Sequence, residues 1–355
     1  MNKVTLSTIE RRRASEKRRA PEARSTPDKR SAAAEPVSGV VHPTRVFRTS
    51  VVRVTALSPH FVRVTVTDPD LAHFYTGGLD QRVKLLLPRE DGTLPDLGLD
   101  QEPQPPMMEW YTTWRQLPDE QRNPIRTYTV RSIRPWAEEI DIDFAVHGTD
   151  GPASAWVSSA VPGDELLVVG PDGRCREDHG GIEFKPGAAK DLLLVGDETA
   201  APAICAILEA LPEDYHGEAY LEVPTAEDVL DVASRSSVRI HWMARNGATH
   251  GSQLAAAVED WGRRRTKIFA ARRAAWEPGR EPVGALTGAP EELPEVADGA
   301  MLWETAVPEG FREYAWLAGE AGAITGLRRH LVKEVGLSRK QVSFMGYWKI
   351  GRAGS

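Results

Sequence analysis

The chain has 355 residues, of which 41% are hydrophobic, and a formal net charge of −7 at pH 7. No stretch approaches the roughly 18 apolar residues that span a membrane, and the N-terminus lacks the apolar segment of a secretory signal. The two cysteines, Cys175 and Cys205, are too few for a disulfide framework or a four-ligand zinc site. Composition therefore argues against a secreted, disulfide-rich or stably membrane-inserted protein. It predicts a cytoplasmic protein of two modest domains.

Residues 1–42 contain ten Lys or Arg and five Asp or Glu. Their polar, Ser-, Ala- and Pro-rich composition cannot bury enough apolar surface to order the segment, which predicts a disordered basic tail. Contact between this tail and membrane phospholipid or nucleic acid is the alternative. The rest of the chain is acidic, so nucleic acid is not expected as the main partner.

Residues 43–178 show the alternation of an antiparallel β-barrel. Val62, Val64 and Val66 fall on one face of a strand, and short apolar runs recur between turns that contain Gly and Pro. Further strands are predicted at residues 82–87, 126–133, 139–147 and 164–169, and the Pro-rich stretch 88–124 is expected to be irregular. Many short strands with almost no helical periodicity favour a barrel.

Residues 179–355 change to a strand–helix–strand rhythm. The segment 191–195 contains a continuous apolar run, which is typical of a buried parallel strand. Further strands are predicted at 219–223, 238–243, 314–318 and 342–345, helices at 200–211, 252–261 and 324–335, and a polar surface insertion at 262–299. This rhythm predicts a doubly wound α/β, Rossmann-like domain.

The predicted strand that begins at Arg126 carries the residue types that a flavin needs. Arg126, Tyr128 and Val130 share one face of this strand, and Thr129 and Arg131 point to the other. A tyrosine ring can stack on a flavin, a threonine can hydrogen-bond its edge, and an arginine can reach a pyrophosphate. An amphipathic strand with surface arginines explains the same pattern. The hexapeptide formed by residues 126–131 alone therefore leaves both interpretations open.

A Gly-rich turn, residues 147–156, leads from the next strand into a short helix. Its glycines permit close backbone approach, and the first helical turn near Ser154 presents N–H groups to an anion. Such a turn suits a dinucleotide pyrophosphate. His147 either faces that cofactor or is an ordinary hydrogen-bonded loop histidine.

Two later turns, residues 195–202 and 316–321, follow predicted parallel strands. Ligands of doubly wound sheets bind outside the carboxyl ends of the strands, so both turns are expected to meet a nicotinamide nucleotide. The first turn is not a full Gly-x-Gly-x-x-Gly fingerprint, and a tight turn capped by Thr199 also explains it. Arg245 follows another strand and is a candidate for a 2′-phosphate, with a solvated loop arginine as the alternative.

These motifs, in this order, resemble those of the siderophore-interacting proteins, the FAD-dependent ferric-siderophore reductases of the ferredoxin-reductase-like superfamily. The resemblance covers about residues 42–352 and includes the segments 83–85, 126–131, 147–156, 162–164, 196–202, 316–321 and the Gly-Tyr-Trp ending at 346–348. It implies an N-terminal antiparallel β-barrel FAD-binding domain, residues 43–178. A doubly wound α/β NAD(P)H-binding domain, residues 179–355, would follow it.

The resemblance also implies roles for individual residues. FAD contacts are expected from Arg126, Tyr128, Thr129, Val130, His147, Gly148, Gly151, Ala153, Ser154, Asp197, Thr199 and Ala200. NAD(P)H contacts are expected from Gly196, Glu198, Arg245, Gly319 and Glu320, and a basic pocket for the substrate from Lys84, Lys349 and Arg131. The family usually has Arg where this chain has Lys349, which keeps the charge but loses forked hydrogen bonding.

The implied reaction is the reduction of a ferric siderophore, with electrons from NADPH or NADH passing through FAD, and the release of Fe(II). No catalytic side chain and no metal ligand are needed, because the flavin carries the electrons. A monomer or weak dimer is expected, with a ferredoxin as a possible donor. The alternatives are a flavin reductase that serves a protein acceptor and a non-catalytic siderophore-binding flavoprotein.

Overall fold

The computed structural model describes residues 41–146, 151–274, 302–306 and 310–351. The strands of its first sheet are β1 (Thr44–Ser58), β2 (Phe61–Thr67), β3 (Arg82–Leu86), β4 (Ile125–Arg134), β5 (Glu139–Ala145) and β6 (Glu165–Pro171). They form a closed barrel in the order β1-β2-β5-β4-β3-β6, and every neighbouring pair is antiparallel. The predicted barrel is therefore confirmed.

Strand β2 shows why these residues build a barrel. Val64 and Val66 are fully buried in the barrel core, where they pack in one cluster with Phe144 of β5. Between them, Thr65 donates a hydrogen bond from Oγ1 to Asp141 Oδ1 at 2.7 Å. The alternation of valine with polar residues thus separates the apolar interior from a polar face that is satisfied by the neighbouring strand.

The second sheet consists of β7 (Asp191–Gly196), β8 (His216–Val223), β9 (Ser237–Ala244), β10 (Trp303–Glu304), β11 (Glu313–Glu320) and β12 (Val342–Trp348). Their order is β10-β12-β11-β7-β8-β9, and every neighbouring pair is parallel except β10 with β12. The direction in which successive strands are added reverses between β7 and β11. Such a reversal is the topological switch point, where doubly wound folds bind ligands outside the carboxyl ends of the strands.

The helices are α1 (Met107–Gln116), α2 (Pro152–Ser159), α3 (Ala201–Ala210), α4 (Ser252–Ala274) and α5 (Ala321–His330). The stretch 88–124, expected to be irregular, contains α1, because Trp110 of this helix is buried in an apolar cluster against the outside of the barrel. Helix α4 continues beyond its predicted end, so residues 262–274 of the expected insertion are helical; residues 275–299 lie outside the described residues. None of the described helices combines the length and the apolarity that crossing a bilayer requires.

Hydrogen bonds between described residues join the barrel to the α/β half at several places. Asp80, just before β3, accepts the indole N–H of Trp316 on β11 at 3.2 Å. Arg131 of β4 donates to both carboxylate oxygens of Glu209 on α3, each at 2.6 Å. Asp228, which follows β8, accepts hydrogen bonds from the hairpin between β1 and β2. The contact of Arg131 with Glu209 holds β4, the strand predicted to bind a flavin, directly against the α/β half.

Candidate flavin and substrate site

The register of β3 and β4 fixes which face each residue of the predicted flavin strand occupies. Tyr128 lies opposite Val83, a residue of the barrel core, whereas Thr129 lies opposite Arg82. Arg126 shares the face of Tyr128, because directly opposed and alternating positions share a face. The predicted division of the hexapeptide between two faces is therefore confirmed. The side chain of Val130, on the Tyr128 face, is buried in the barrel core and does not reach a cleft.

Arg126 is a half-buried cation whose only hydrogen bond in the described part of the chain goes to the carbonyl of Ile125, at 2.8 Å. Burial lowers the pKa of its guanidinium, and Tyr128 acts in the opposite sense. A cation that has lost water without gaining a carboxylate is poorly compensated. An anion placed beside it would supply the missing charge, which is what a pyrophosphate offers.

Tyr128 connects Arg126 to the helix that follows the Gly-rich turn. Its ring lies 4.4 Å from that of Phe144, and Phe144 lies 5.8 Å from Trp156 on α2. Helix α2 begins after Gly151 without a side-chain cap, so the N–H groups of Ala153 and Ser154 point out of its first turn. His147 and Gly148 lie outside the described residues. Ala153 and Ser154, the described residues predicted to bind the pyrophosphate, thus lie on one helical turn. The rings of Trp156, Phe144 and Tyr128 connect this helix to the face of β4 that carries Arg126.

Lys84 lies on the other face of this strand pair, with Arg82 and Thr129. It is half-buried, and burial, followed by the charge of Arg82, lowers the pKa of its ammonium group. Within the described residues no carboxylate forms an ion pair with Lys84. The face that carries the predicted flavin hydrogen bond of Thr129 therefore also carries an uncompensated positive charge.

An aromatic group from the α/β half covers the same face. The guanidinium of Arg82 lies 4.3 Å above the ring of Trp303, which stacks on Tyr347 at 6.0 Å. Burial, and then the charge of Asp80, raise the pKa of Tyr347, whereas a hydrogen bond with Thr129 lowers it. The Gly-Tyr-Trp ending was one of the sequence signals, and its tyrosine does reach the predicted flavin strand. The sequence analysis did not predict Arg82 and Trp303 as site residues. Arg82 could have been found, because it alternates with Lys84 on one strand and therefore shares its face.

Arg131 requires a correction. It was expected in the substrate pocket, but its side chain is nearly buried and makes a two-pronged ion pair with Glu209 on α3. Asp143 lies 3.7 Å away on its other side. Its charge is neutralised inside the protein, so Arg131 joins the two halves of the chain and is not left to attract a substrate.

The residues predicted to bind NAD(P)H do come together at the switch point. Gly196, at the end of β7, is followed directly by Asp197, and Ala318 on β11 lies opposite Gly196. Asp197 and Thr199, which were expected to contact FAD, lie in the same turn: the carboxylate of Asp197 accepts the N–H of Thr199 at 2.9 Å and the indole N–H of Trp348 at 2.9 Å. Burial, and then the charge of Glu198, raise the pKa of Asp197 to about 6. Asp197 therefore ties three segments of the chain together with bonds made inside the protein.

Arg245 and Glu198 also require a correction. Glu198 is completely buried and receives two hydrogen bonds from the guanidinium of Arg245, at 2.8 and 3.0 Å. Glu222, equally buried, accepts a third at 3.1 Å. Arg245 is 8% exposed. Its donors are directed at two internal carboxylates, so this arrangement does not leave them for a 2′-phosphate.

Glu320 is likewise engaged in the fold. Its carboxylate accepts the N–H of Ala323 in the first turn of α5 at 2.8 Å and the N–H of Ile350 at 3.3 Å. Lys349 is exposed just past the end of β12, beside this turn. It thus lies at the carboxyl edge of the second sheet, two residues beyond Tyr347.

Comparison with known proteins agrees with this architecture. A family model described as a siderophore-interacting FAD-binding domain matches residues 50–175, and one described as siderophore-interacting protein matches residues 189–351. An uncharacterised protein of Mycobacterium tuberculosis is 30% identical over 307 residues, which cover 85% of this chain and 89% of the relative. The chain belongs to the siderophore-interacting protein family.

Two further comparisons place this siderophore-interacting protein among its relatives. The ferric vibriobactin reductase ViuB of Vibrio cholerae is 27% identical over 302 residues, covering 85% of this chain and 88% of ViuB. The crystal structure of a siderophore utilization protein from T. fusca superposes with a TM-score of 0.60 at 27% identity, covering 88% of this chain and 96% of that one. The barrel is the FAD-binding domain of the family, and its matched segment includes both β4 and α2. The fold is that of an oxidoreductase of the flavin-binding reductase type.

Proposed function

We propose that this protein reduces ferric siderophores, with FAD held by the barrel, and so releases iron as Fe(II). The observation that carries the proposal is the pair Arg126 and Lys84, two half-buried cations that have no carboxylate partner within the described ranges. They lie on the two faces of one strand pair in a chain of net charge −7. The relative named a ferric vibriobactin reductase supports the same reaction.

The residues of the barrel suit FAD. Arg126 and the first turn of α2 would hold the pyrophosphate, because both present uncompensated positive charge or free N–H groups. The ring of Tyr128 would support the flavin, and Thr129 would hydrogen-bond it. When bound, FAD supplies a carrier that accepts two electrons together and releases them one at a time.

Lys84 would then recognise the substrate. Oxygen ligands such as catecholate or hydroxamate hold Fe(III) more tightly than Fe(II), so a one-electron reduction loosens the complex. A ferric siderophore of this kind is anionic and would be repelled by an acidic protein. The positive charge of Lys84 on the face of Thr129, together with Lys349 at the neighbouring sheet edge, would offset that repulsion at the substrate site.

The proposal can be tested without choosing an electron donor. The FAD-loaded protein would be reduced with light under anaerobic conditions and then mixed with a panel of ferric siderophores and a ferrous trap. We expect reoxidation of the flavin and formation of the trapped Fe(II) complex in a ratio of one flavin to two irons. Tight binding of a ferric siderophore without Fe(II) formation from any member of the panel would refute the reductase and leave a siderophore-binding flavoprotein.

A further inference from the structure

The switch point between β7 and β11 is where a doubly wound fold is expected to hold a dinucleotide. Two features usually create that site: free N–H groups at a helix N-terminus, which accept the pyrophosphate, and a local positive potential. In this protein the described helix N-termini at the carboxyl edge of the second sheet do not offer such N–H groups, and the described carboxylates outnumber the cations. Helix α3, which follows β7, has no side-chain cap, but the N–H groups of Ala200 and Ala201 bond to the carbonyl of Asp197, Pro202 has no N–H, and this turn is buried. We define the edge carboxylates as Asp197, Glu198, Glu222 and Glu320.

The N-terminus of α4 is already occupied by a carboxylate of the protein. Glu222, at the end of β8, accepts the backbone N–H groups of Gly251 at 2.8 Å, Gln253 at 2.9 Å and Leu254 at 3.4 Å. It is completely buried. These are the donors that a phosphate at this helix would use, and Glu222 uses them instead.

The two turns at the switch point itself are filled in the same way. Asp197 accepts the N–H of Thr199 and, at 2.8 Å, the N–H of Glu320, the residue that caps α5. Glu320 in turn accepts the N–H of Ala323. Trp348 lies across this turn and donates its indole N–H to Asp197. The chain's own C-terminal strand therefore lies across the turns beside which a doubly wound fold is expected to bind a pyrophosphate.

The charges at this edge also oppose a dinucleotide. Among the described residues, four buried carboxylates face the guanidinium of Arg245, which is shared by Glu198 and Glu222, and the exposed ammonium group of Lys349 lies beside the turn of Glu320. His250 lies 3.8 Å from Glu198 and adds positive charge only when it is protonated. A pyrophosphate is doubly negative, and the 2′-phosphate of NADPH adds more, so like charges would meet in a site of low dielectric constant.

We propose that the edge carboxylates exclude the pyrophosphate of NADH and NADPH from this sheet. The flavin is then reduced by a donor that the protein recognises without binding a diphosphate group. The inference rests on the proposed function only in requiring bound FAD. It revises the expectation that Gly196, Glu198, Arg245, Gly319 and Glu320 form a dinucleotide site: these residues meet, but their polar groups serve the fold.

The first test compares electron donors. Flavin reduction in the FAD-loaded protein would be followed by stopped flow with NADH, NADPH and the phosphate-free donor 1-benzyl-1,4-dihydronicotinamide. We expect rates that rise linearly with donor concentration to about 1 mM, the upper end of ordinary KM values, with rate constants for the three donors within about tenfold. Saturation below that concentration, or a larger advantage of either dinucleotide, would overturn the inference.

Equilibrium binding of NAD⁺ and NADP⁺, measured by calorimetry, decides the case in which none of the three donors reduces the flavin. Binding with a Kd below about 1 mM would count against the inference, and weaker binding would support it. The light-reduction assay described above is independent of both measurements. Its failure would remove the proposed function while leaving the closed edge intact.

The second test removes the carboxylate that occupies the N-terminus of α4. In Glu222→Ala the N–H groups of α4 lose their acceptor, so inorganic phosphate at about 50 mM should raise the Tm of this variant by several degrees relative to chloride of equal ionic strength. The wild type and Glu227→Ala, which removes an exposed glutamate close by, should not respond. Phosphate stabilisation of the wild type as large as that of the variant, or none in the variant, would contradict the proposal. If Glu222→Ala does not fold, the donor comparison on the wild type still decides.

Discussion

Arg126 on the barrel and Arg245 at the edge of the α/β sheet are both withdrawn from water, but their surroundings differ. Arg245 is held by two buried carboxylates, whereas Arg126 has only a backbone carbonyl among its described neighbours. The same contrast separates Lys84, without an ion pair in the described ranges, from Arg131, which is paired with Glu209. Lys84 and Arg126 thus carry a positive charge that no described carboxylate neutralises, whereas the charges of Arg131 and Arg245 are neutralised inside the protein.

The contrast shows that a basic residue near a ligand-binding edge is not by itself a ligand residue. Whether such a residue can bind a ligand depends on its partners inside the protein, because a buried charge that already has a counter-ion gains little from a second one. Four substitutions test the contrast by removing compensated and uncompensated charges in turn.

The largest effect is expected for Arg245→Met. The substitution leaves Glu198 and Glu222 buried without their cation, which should lower the free energy of unfolding by about 3–5 kcal/mol. Urea unfolding of the FAD-free protein measures this value. Arg263→Met is the control, since Arg263 is exposed and its pair with Asp260 should be worth less than about 1 kcal/mol. Equal losses in the two variants would remove the distinction between the buried and the exposed pair.

Asp80 is an intermediate case: it has three N–H donors but no described cation. Its burial raises its pKa to about 6. The folded state therefore retains a proton that the unfolded state, with a pKa of about 3.9, releases earlier. The contribution of Asp80 to the free energy of unfolding should fall as pH rises from about 4 to about 6, by at most about 3 kcal/mol, and then stay constant.

The difference in unfolding free energy between wild type and Asp80→Asn isolates this term, because the other titrating groups cancel. We expect the advantage of the wild type to be greatest near pH 4 and to shrink toward pH 6. The offset at any one pH also contains the hydrogen bonds that asparagine cannot accept, so the slope is the readout. A difference that grows with pH would reverse the assigned direction of the shift.

Arg126→Leu should lower FAD affinity by about 10- to 100-fold, the value of one charge-assisted hydrogen bond. The free energy of unfolding of the FAD-free protein should not fall, because the described part of the chain offers Arg126 no carboxylate to lose. Flavin fluorescence titration and urea unfolding measure the two quantities. Arg131→Leu, five residues along the same strand, should show the reverse pattern: lower stability with nearly unchanged FAD affinity. Stability loss in Arg126→Leu without weaker FAD binding would assign Arg126 to the fold.

Lys84→Ala is expected to have the smallest effect. It should raise the KM for an anionic ferric siderophore by about three- to tenfold at low ionic strength, with unchanged flavin content, and the increase should diminish as salt screens the charge. Lys333→Ala, an exposed lysine after α5, is the matched control. If the two variants have the same KM at low salt, Lys84 does not face the substrate.

The sequence predicted the elements whose patterns are local. The sequence predicts β2 and β7 as strands because valines recur at every second position of β2 and apolar residues at successive positions of β7. Helix α1 was missed because its stability depends on Trp110 packing against the barrel, a contact distant in sequence. The end of α4 was not predicted, because the polar composition of residues 262–299 indicated a surface insertion, although the Arg and Lys at the start of this segment are good helix formers.

The candidate site divides in the same way. The two faces of the hexapeptide followed from strand periodicity, and the meeting of the turns after β7 and β11 followed from the rules of doubly wound sheets. The partners of Arg131 and Arg245 could not be predicted, because Glu209 and Glu222 approach them only in the folded chain. A single sequence shows which residues carry charge, but it does not show which charges are already neutralised.

Gly319 bears a consequence for how relatives of this protein can vary. Its backbone is in a left-handed conformation, with φ of +143°, and a Cβ there would lie 2.6 Å from Asp197 Oδ2. Any side chain at position 319 would therefore push this carboxylate off the N–H of Glu320 and the indole of Trp348. Substitutions at positions 197, 319 and 348 should consequently occur together across the family, and a relative that replaces all three would be the one to inspect for an open nucleotide cleft.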